Sequence, residues 1–390
     1  MIGDGSERRG EARAVLTRVV PSPIRRGLRE LAGFPEALAG WWMVMRGARH
    51  LQGTVRVCYG RRAIPGLAQE AHGGIVKFQR MQAVFPNSPG RFNLLYLVSS
   101  RMPQGAVRMS RIAQRRHVRV VWNQNGVAYP AWHGPGWERT NAPLAKILHA
   151  ADHVFYQSTF CKISADRYLG KREGPYEILS NPVETTVFTP AATDPEPNGL
   201  VMLLAGTQVH WYRVETALRV LAQVRRTYRN ARLLVTGRLR WIPDERRAQH
   251  LARQRADQLG VGDRVEFLGP YSQAQAPDMF RKAHLLLHTQ YNDSCPSVVV
   301  EAMACGLPVV YSNSGGVPEL VGEEAGIGVP TEVSWEREIP PDSERMAQAV
   351  LEVAARRNRY VQAARERAVA RFDLRPWLRR HEDVFAQLCR

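Results

Sequence analysis

At 390 residues the chain is long enough for two domains of ordinary size, and its mix of 44% hydrophobic and 23% charged residues excludes a disordered or fibrous protein. Formal net charge is +18, unevenly spread: residues 1–195 carry 27 basic against 13 acidic side chains, residues 196–390 carry 27 against 23. Five scattered cysteines (Cys58, Cys161, Cys295, Cys305, Cys389) with no CxxC pair exclude a disulfide framework or zinc site and fit a reducing cytoplasm.

The chain opens with MIGDGSERRGEARAV, which lacks the basic-then-apolar order of a signal peptide. The apolar run Ala39–Met45 is far shorter than the ~20 residues of a membrane span. Residues 1–50 are therefore expected as a basic extension. Positive charge concentrates between Arg25 and Arg49, and again between Arg101 and Arg119. In the second stretch Arg108, Arg111, Arg115 and Arg116 stand at helical spacing beside Met109 and Ile112. Such a helix suits an anionic membrane surface. A plain excess of arginine and a nucleic-acid face are the alternatives. No recognition module or aromatic nucleic-acid motif accompanies the charge, so nucleic acid is not expected as a partner.

Short apolar or β-branched runs then alternate with helical periods. Strands are expected at 55–59, 92–98, 118–122, 153–157 and 176–179. That rhythm predicts a parallel sheet covered by helices. Residues 181–199, rich in Pro, Thr and acidic side chains, read as a linker. The rhythm restarts with strands expected at 200–206, 231–237, 264–269, 284–289 and 307–312, several ending in glycine. In open α/β sheets that carboxyl edge is where ligands bind. Two such sheets would face each other across a cleft. After Pro340 the chain reads helical to its end.

Residues 292–320, NDSCPSVVVEAMACGLPVVYSNSGGVPEL, gather the clearest chemistry. Pro296 or Ser297 begins a helix, which Ser294 or Ser297 can cap. Its first backbone N–H groups, near Ser297 and Val298, suit phosphate oxygens. Glu301 lies one turn in among Val298, Val299, Val300, Ala302 and Met303, where an ionised carboxylate needs partners such as two vicinal hydroxyls. Asp293 precedes the helix and could accept from the hydroxyls of a second sugar. Ser314-Gly315-Gly316 forms a further tight turn, and Glu319 reads as an acid in a helix start.

Asp293 and Glu301, with EAMACGLPVV and SGGVPELV, resemble the signature of glycosyltransferase family 4, retaining enzymes of the GT-B fold. ADHVFYQSTFCK (151–162), ILSNPVETTVFTP (178–190), residues 264–294 and the glycine loop His72-Gly73-Gly74-Ile75 are similar too, so the likeness covers about 53 to 385. It implies two Rossmann-like doubly wound α/β domains and a C-terminal helix crossing back to the first. The implied limits are 51–190 for the acceptor domain, 191–365 for the donor domain and 366–390 for the crossing helix. Glu301 would hold the ribose of a nucleotide-sugar and Asp293 the donor sugar. Ser297, Val298 and Gly74 would take the diphosphate, and Pro270-Tyr271-Ser272 would border the base. Two departures stand out. The first acid is an aspartate rather than a glutamate, and Thr207 occupies the phosphate-gripping arginine position in Gly206-Thr207-Gln208-Val209-His210-Trp211-Tyr212-Arg213. Arg213 or His210 would serve instead. The aromatic loop 122–141 would face the acceptor, with His133 near the reacting centre.

The sequence thus implies a hexosyltransferase acting on a glycan or lipid-linked acceptor at the cytoplasmic face of a bacterial membrane, in surface polysaccharide assembly. Its donor would be a UDP- or GDP-sugar, with no metal and no cofactor. The rival readings are an inactive nucleotide-sugar-binding scaffold, a nucleic-acid binder, and a hydrolase or epimerase of nucleotide-sugars.

Overall fold

The computed structural model describes residues 22–51, 53–71 and 73–390, with side chains from residue 35 onward. Residues 1–21 of the expected extension, and His72 of the glycine loop, lie outside the described residues. The apolar runs form strands, the inner ones buried on both faces as parallel sheets require. In the first half they are β1 (Val57–Cys58), β2 (Leu94–Val98), β3 (Arg119–Gln124), β4 (His153–Tyr156) and β5 (Tyr176–Ile178), all parallel and in that spatial order. Helices α1 (Ser22–Gly47), α2 (Gly74–Met81), α3 (Ala106–Arg115), α4 (Pro130–His133), α5 (Trp137–Ala150) and α6 (Thr159–Tyr168) accompany them.

Sequential strand order has a packing consequence. Leu95, Leu97, Val120, Trp122 and Val154 turn to one face, covered by α1, α3, α5 and α6. Leu94, Tyr96, Val98, Val121 and Phe155 turn to the other face, where α2 alone is too short a cover. A helix from the far end of the chain completes it, as described below.

The second half builds β6 (Val201–Leu204), β7 (Arg232–Thr236), β8 (Val265–Gly269), β9 (Leu285–His288), β10 (Val309–Asn313) and β11 (Gly326–Pro330). Their order is β11-β10-β9-β6-β7-β8, all parallel, so the order reverses between β6 and β9. Helices α7 (Trp211–Val224), α8 (Glu245–Gln258), α9 (Ala276–Phe280), α10 (Ser297–Ala304), α11 (Val317–Val321), α12 (Ser343–Ala355) and α13 (Arg357–Phe372) cover both faces. β11 has no counterpart among the expected strands.

Helix α14 (Leu374–Leu388) crosses back, with Leu374, Trp377, Val384 and Phe385 packed against Val57, Tyr59, Phe78 and Tyr96. The crossing happens at Asp373, whereas residues up to Phe372 stay with the second sheet through Ala364, Ala368 and Phe372. The segment expected as a linker is packed: Val183 and Phe188 are buried in the C-terminal core, and Val183 N–H donates to Phe372 O at 2.7 Å. The two chain crossings between domains therefore lie side by side.

The basic extension is also corrected in part. The C-terminal half of α1 packs on the N-terminal domain, with Ala37, Val44 and Ala48 buried. Trp41 Nε1 donates to Gly105 O at 3.2 Å, and Arg108 lies over the Trp41 ring at 4.0 Å. In α3 Met109 is fully buried, so this apolar side chain faces core rather than lipid, while Arg108, Arg111, Arg115 and Arg116 remain exposed.

Candidate functional site

The carboxyl edges of the two sheets meet at a cleft cavity of about 270 Å³. On the C-terminal side it lies at the β6/β9 reversal, where diverging loops leave room for a ligand. Gly206 and Thr207 follow β6 there, and Asp293 follows β9. A second cavity of about 530 Å³ opens at the opposite edge of the N-terminal sheet, near His50, His117 and Arg119, and its carboxylate Asp152 is already paired with Arg119.

Helix α10 starts at Ser297 with Pro296 as its cap residue, and no side chain caps it. The expected cap from Ser294 or Ser297 is absent. The first N–H groups, at Ser297 and Val298, open onto the cleft and carry the positive end of the helix. The 314–316 turn explains its glycines here. A Cβ on Gly315 would stand 2.4 Å from Asp293 O, and one on Gly316 1.9 Å from Ser294 O. Gly316 N–H donates to Asp293 O at 2.8 Å, so the turn clamps the acidic loop from behind.

Asp293 is partly exposed to the cleft. Its Oδ2 lies 3.3 Å from Nε2 of buried His288, without an aligned hydrogen bond. Burial lowers the proton affinity of His288, and Asp293 partly restores it. Glu301 is 1% exposed and accepts from Arg80 Nη2 at 2.6 Å. That guanidinium comes from α2 in the other domain, and it also donates to Gln273 Oε1 at 3.1 Å and to Pro182 O. Tyr271 borders Glu301, and burial next to that carboxylate pushes its phenol well up.

Arg213 lines the cavity from α7, but its Nη1 donates to Thr207 O at 2.7 Å and its Nε has no partner. Across the cleft Lys77 of α2 is 4% exposed, and Nζ donates to Asn123 Oδ1 at 3.0 Å. Gln157 Nε2 donates to that same oxygen at 2.6 Å. Burial pushes the Lys77 ammonium down to about 7.

The structure thus brings Asp293, Glu301, Ser297, Val298, Arg213, Gly206 and Tyr271 to one cavity. Gly74, His133 and His210 do not line it. Gly74 turns its Cα toward β2, where a Cβ would meet Val98 Cγ1 at 2.7 Å; Gly73 lines the cleft in its place. His133 ends the short helix α4, exposed, with Nε2 2.9 Å from Thr140 Oγ1. His210 pairs with Glu338 at 3.1 Å and does not line the cavity, leaving Arg213 as the cation of that loop. Glu319 acts between domains: its carboxylate accepts from the N–H groups of Thr159 and Phe160 at 2.7 and 2.9 Å, capping α6. Sequence reasoning missed Lys77, Arg80, Asn123, Gln157 and His288. The available signal was two cations set among Ile75, Val76 and Phe78 just after a glycine pair.

Residues 189–367 match the family model of glycosyl transferases group 1. A 68-residue stretch is 46% identical to D-inositol 3-phosphate glycosyltransferase of Mycolicibacterium smegmatis, covering 17% of this chain and 16% of that protein. A 147-residue stretch is 26% identical to a phosphatidylinositol N-acetylglucosaminyltransferase component of Arabidopsis thaliana, covering 38% and 31%. These matches span less than a third of either relative. Sucrose-phosphate synthase from Thermosynechococcus elongatus superposes with a TM-score of 0.64 at 20% identity, over 80% of this chain and 76% of that one. Anabaena HepE, solved with UDP-glucose, gives 0.61 at 20% identity over 76% and 79%. The chain therefore has the GT-B fold, and its residues 189–367 resemble the glycosyl transferases group 1 family.

Proposed function

We propose that the protein is a retaining glycosyltransferase, moving a hexosyl unit from a nucleotide-diphosphate sugar to a glycan or lipid-linked acceptor in bacterial surface polysaccharide assembly. The observation that carries this reading is the joint placement of Asp293, Glu301 and the uncapped start of α10 around one interdomain cavity. Glu301 accepts from the ribose hydroxyls, Asp293 from the donor sugar, and the N–H groups of Ser297 and Val298 from the diphosphate. These dipoles, aimed before reaction, favour the charge that grows on the leaving diphosphate. That diphosphate takes the acceptor's proton on the face from which it departs, and the configuration at the sugar carbon is retained. The reading requires no metal, because the uncapped N–H groups of α10 would receive the phosphates.

HepE was solved with UDP-glucose, so a UDP-sugar is the first donor to test, with GDP-sugars next. The names of the two curated relatives point to an inositol phosphate and to phosphatidylinositol, and these head the acceptor panel. Work on a lipid-linked acceptor fits a protein held at the inner face of the membrane. Trp42 and Met45 on α1 are exposed, on the helix that packs against arginine-bearing α3. The turning of Arg213 toward backbone carbonyls favours a second reading, a protein that binds the nucleotide-sugar without transferring it.

Incubating a nucleotide-sugar panel with wild type and Asp293→Asn separates the two. Release of nucleotide by wild type alone, with the sugar recovered on an acceptor in the donor's configuration, is expected. Tight binding without release across the acceptor panel would favour the scaffold, and free sugar as the product would mean hydrolysis.

A further inference from the structure

The N-terminal domain holds a polar cluster against the cleft that no carboxylate neutralises among the described residues. Lys77 presents three N–H donors, of which Asn123 Oδ1 takes one. Gln157, fully buried and lining the cavity, fixes that Asn123 oxygen through Nε2 while its own Oε1 has no partner; Asn123 Nδ2 has none either. A desolvated ammonium and the orphaned Gln157 oxygen, both on residues of the cavity wall, are costly unless a ligand completes them. On the opposite wall the phosphate-facing loop offers neutral Thr207, and Arg213 points Nη1 into that loop's backbone.

We propose that Lys77, held by Asn123 and Gln157, is an anion subsite that receives the terminal phosphate of the donor's diphosphate from the N-terminal side of the cleft. The assignment rests on the nucleotide-sugar reading above and moves part of the phosphate grip from the C-terminal domain to α2. As the bond between the sugar carbon and the phosphate oxygen breaks, its electron pair stays on that oxygen, and the ammonium neutralises it. The acceptor oxygen bonds to the carbon and its proton passes to the phosphate. Lys77 thereby couples chemistry to domain closure, because a cation on one domain meets an anion bound by the other.

The pH behaviour follows from the surroundings. Arg80 on the same helix is paired with Glu301. The Cys161 and Cys295 thiols facing Lys77 are pushed up by burial, and His381 behind it is pushed down to about 3, so all three are neutral near pH 7. Arg213 and Asp293 share the cavity. Lys77 is then the group that loses charge above about 7, and anion affinity falls as pH rises from 7 to 9.

The test is calorimetric titration of wild type, Lys77→Met and Lys77→Gln with pyrophosphate and with the mono- and diphosphates of uridine, guanosine and adenosine. The neutral variants should melt no lower than wild type, since an unpaired buried charge is removed, and Lys77→Gln carries the comparison if Lys77→Met fails to fold. Expected is a roughly ten- to hundredfold loss for pyrophosphate and the preferred diphosphate, with the monophosphate changed by no more than about threefold. The fall in affinity between pH 7 and 9 should vanish in the variants. Equal losses for mono- and diphosphate, or no loss, overturn the assignment while leaving the nucleotide reading intact. Lys77-dependent pyrophosphate binding without any nucleotide binding keeps the subsite and removes the nucleotide-sugar reading. Wild type that binds neither removes both.

Discussion

Glu301→Gln removes the anion that faces Arg80 and the acceptor assigned to the ribose hydroxyls. Losing hydrogen bonds to a charged group should weaken nucleotide-sugar binding by ~1.5–3 kcal/mol, read by calorimetry on a folded variant. An unchanged Kd sinks the ribose assignment. Stability should respond separately. Removing one partner of a buried ion pair costs ~3–5 kcal/mol, whereas Arg80→Met combined with Glu301→Leu should recover most of that loss. Urea unfolding of the two singles and the double tests this, and additive losses would show that the pair is not coupled. The acids were legible because carboxylates in an apolar run demand partners. Their partners were not: Arg80 lies 221 residues from Glu301 and comes from the other domain, and no local pattern reports that meeting. His133 drew notice as a lone histidine in an aromatic loop, but two turns of backbone hold it outward, with φ of 70° at Gly134 and 87° at Gly136.

At the scale of elements, α14 is the piece whose loss should be felt most. Phe385 is fully buried against Tyr96 and Phe85, with ring centroids 5.8 and 5.0 Å away. Phe385→Ala should cost ~3–5 kcal/mol, against little for exposed Arg379→Ala, measured by thermal unfolding and protease resistance. His381 sets the pH response of the same helix. Its Nδ1 lies 2.9 Å from Trp377 O, which can only accept, so Nδ1 carries the proton and the Tyr96 hydroxyl donates to Nε2 at 3.1 Å. Burial holds its pKa at about 3. The unfolded histidine titrates near 6.5, so between these values the unfolded chain binds the extra proton. Stability contributed by neutral His381 is present above about pH 6.5 and is lost as pH falls toward 3. His381→Phe should flatten the slope of stability against pH between 4 and 6 relative to wild type, and an identical slope would refute the assignment. Strands such as β2 and β6 were readable as unbroken apolar runs. β11 was not, because Gly326 and Gly328 break its pattern. Those glycines are needed where the strand presses on Val309 O and the Tyr311 ring, at 1.9 and 2.9 Å from an added Cβ. Helix α1 was hidden by Pro35 and by its arginines, which read as an extension until α3 supplies the surface it covers.

For the molecule as a whole, charge is the property with the longest reach. No described helix is long and apolar enough to cross a membrane. The exposed arginines of α3 and the adjoining Arg116 can act on an anionic surface at about 1 kcal/mol each. Replacing Arg108, Arg111, Arg115 and Arg116 by glutamine should release the protein from vesicles rich in anionic lipid. Wild-type binding should itself weaken with salt, and equal retention of the variant counts against membrane contact. Because Met109 is committed to the core, the attraction should be electrostatic, with little contribution from inserted side chains of α3.

The strap formed by α14 also sets an order of events during synthesis. The hydroxyl of Tyr96 and the imidazole of His381 belong to one core yet are 285 residues apart in sequence. At ~5–20 residues per second a ribosome needs roughly 15–60 s to travel that distance. The domain made first is therefore the last to be finished. Until α14 emerges, Leu94, Tyr96 and Phe155 have only α2 over them, and a nascent chain in this state should be a client for any chaperone that recognises exposed aromatic surface.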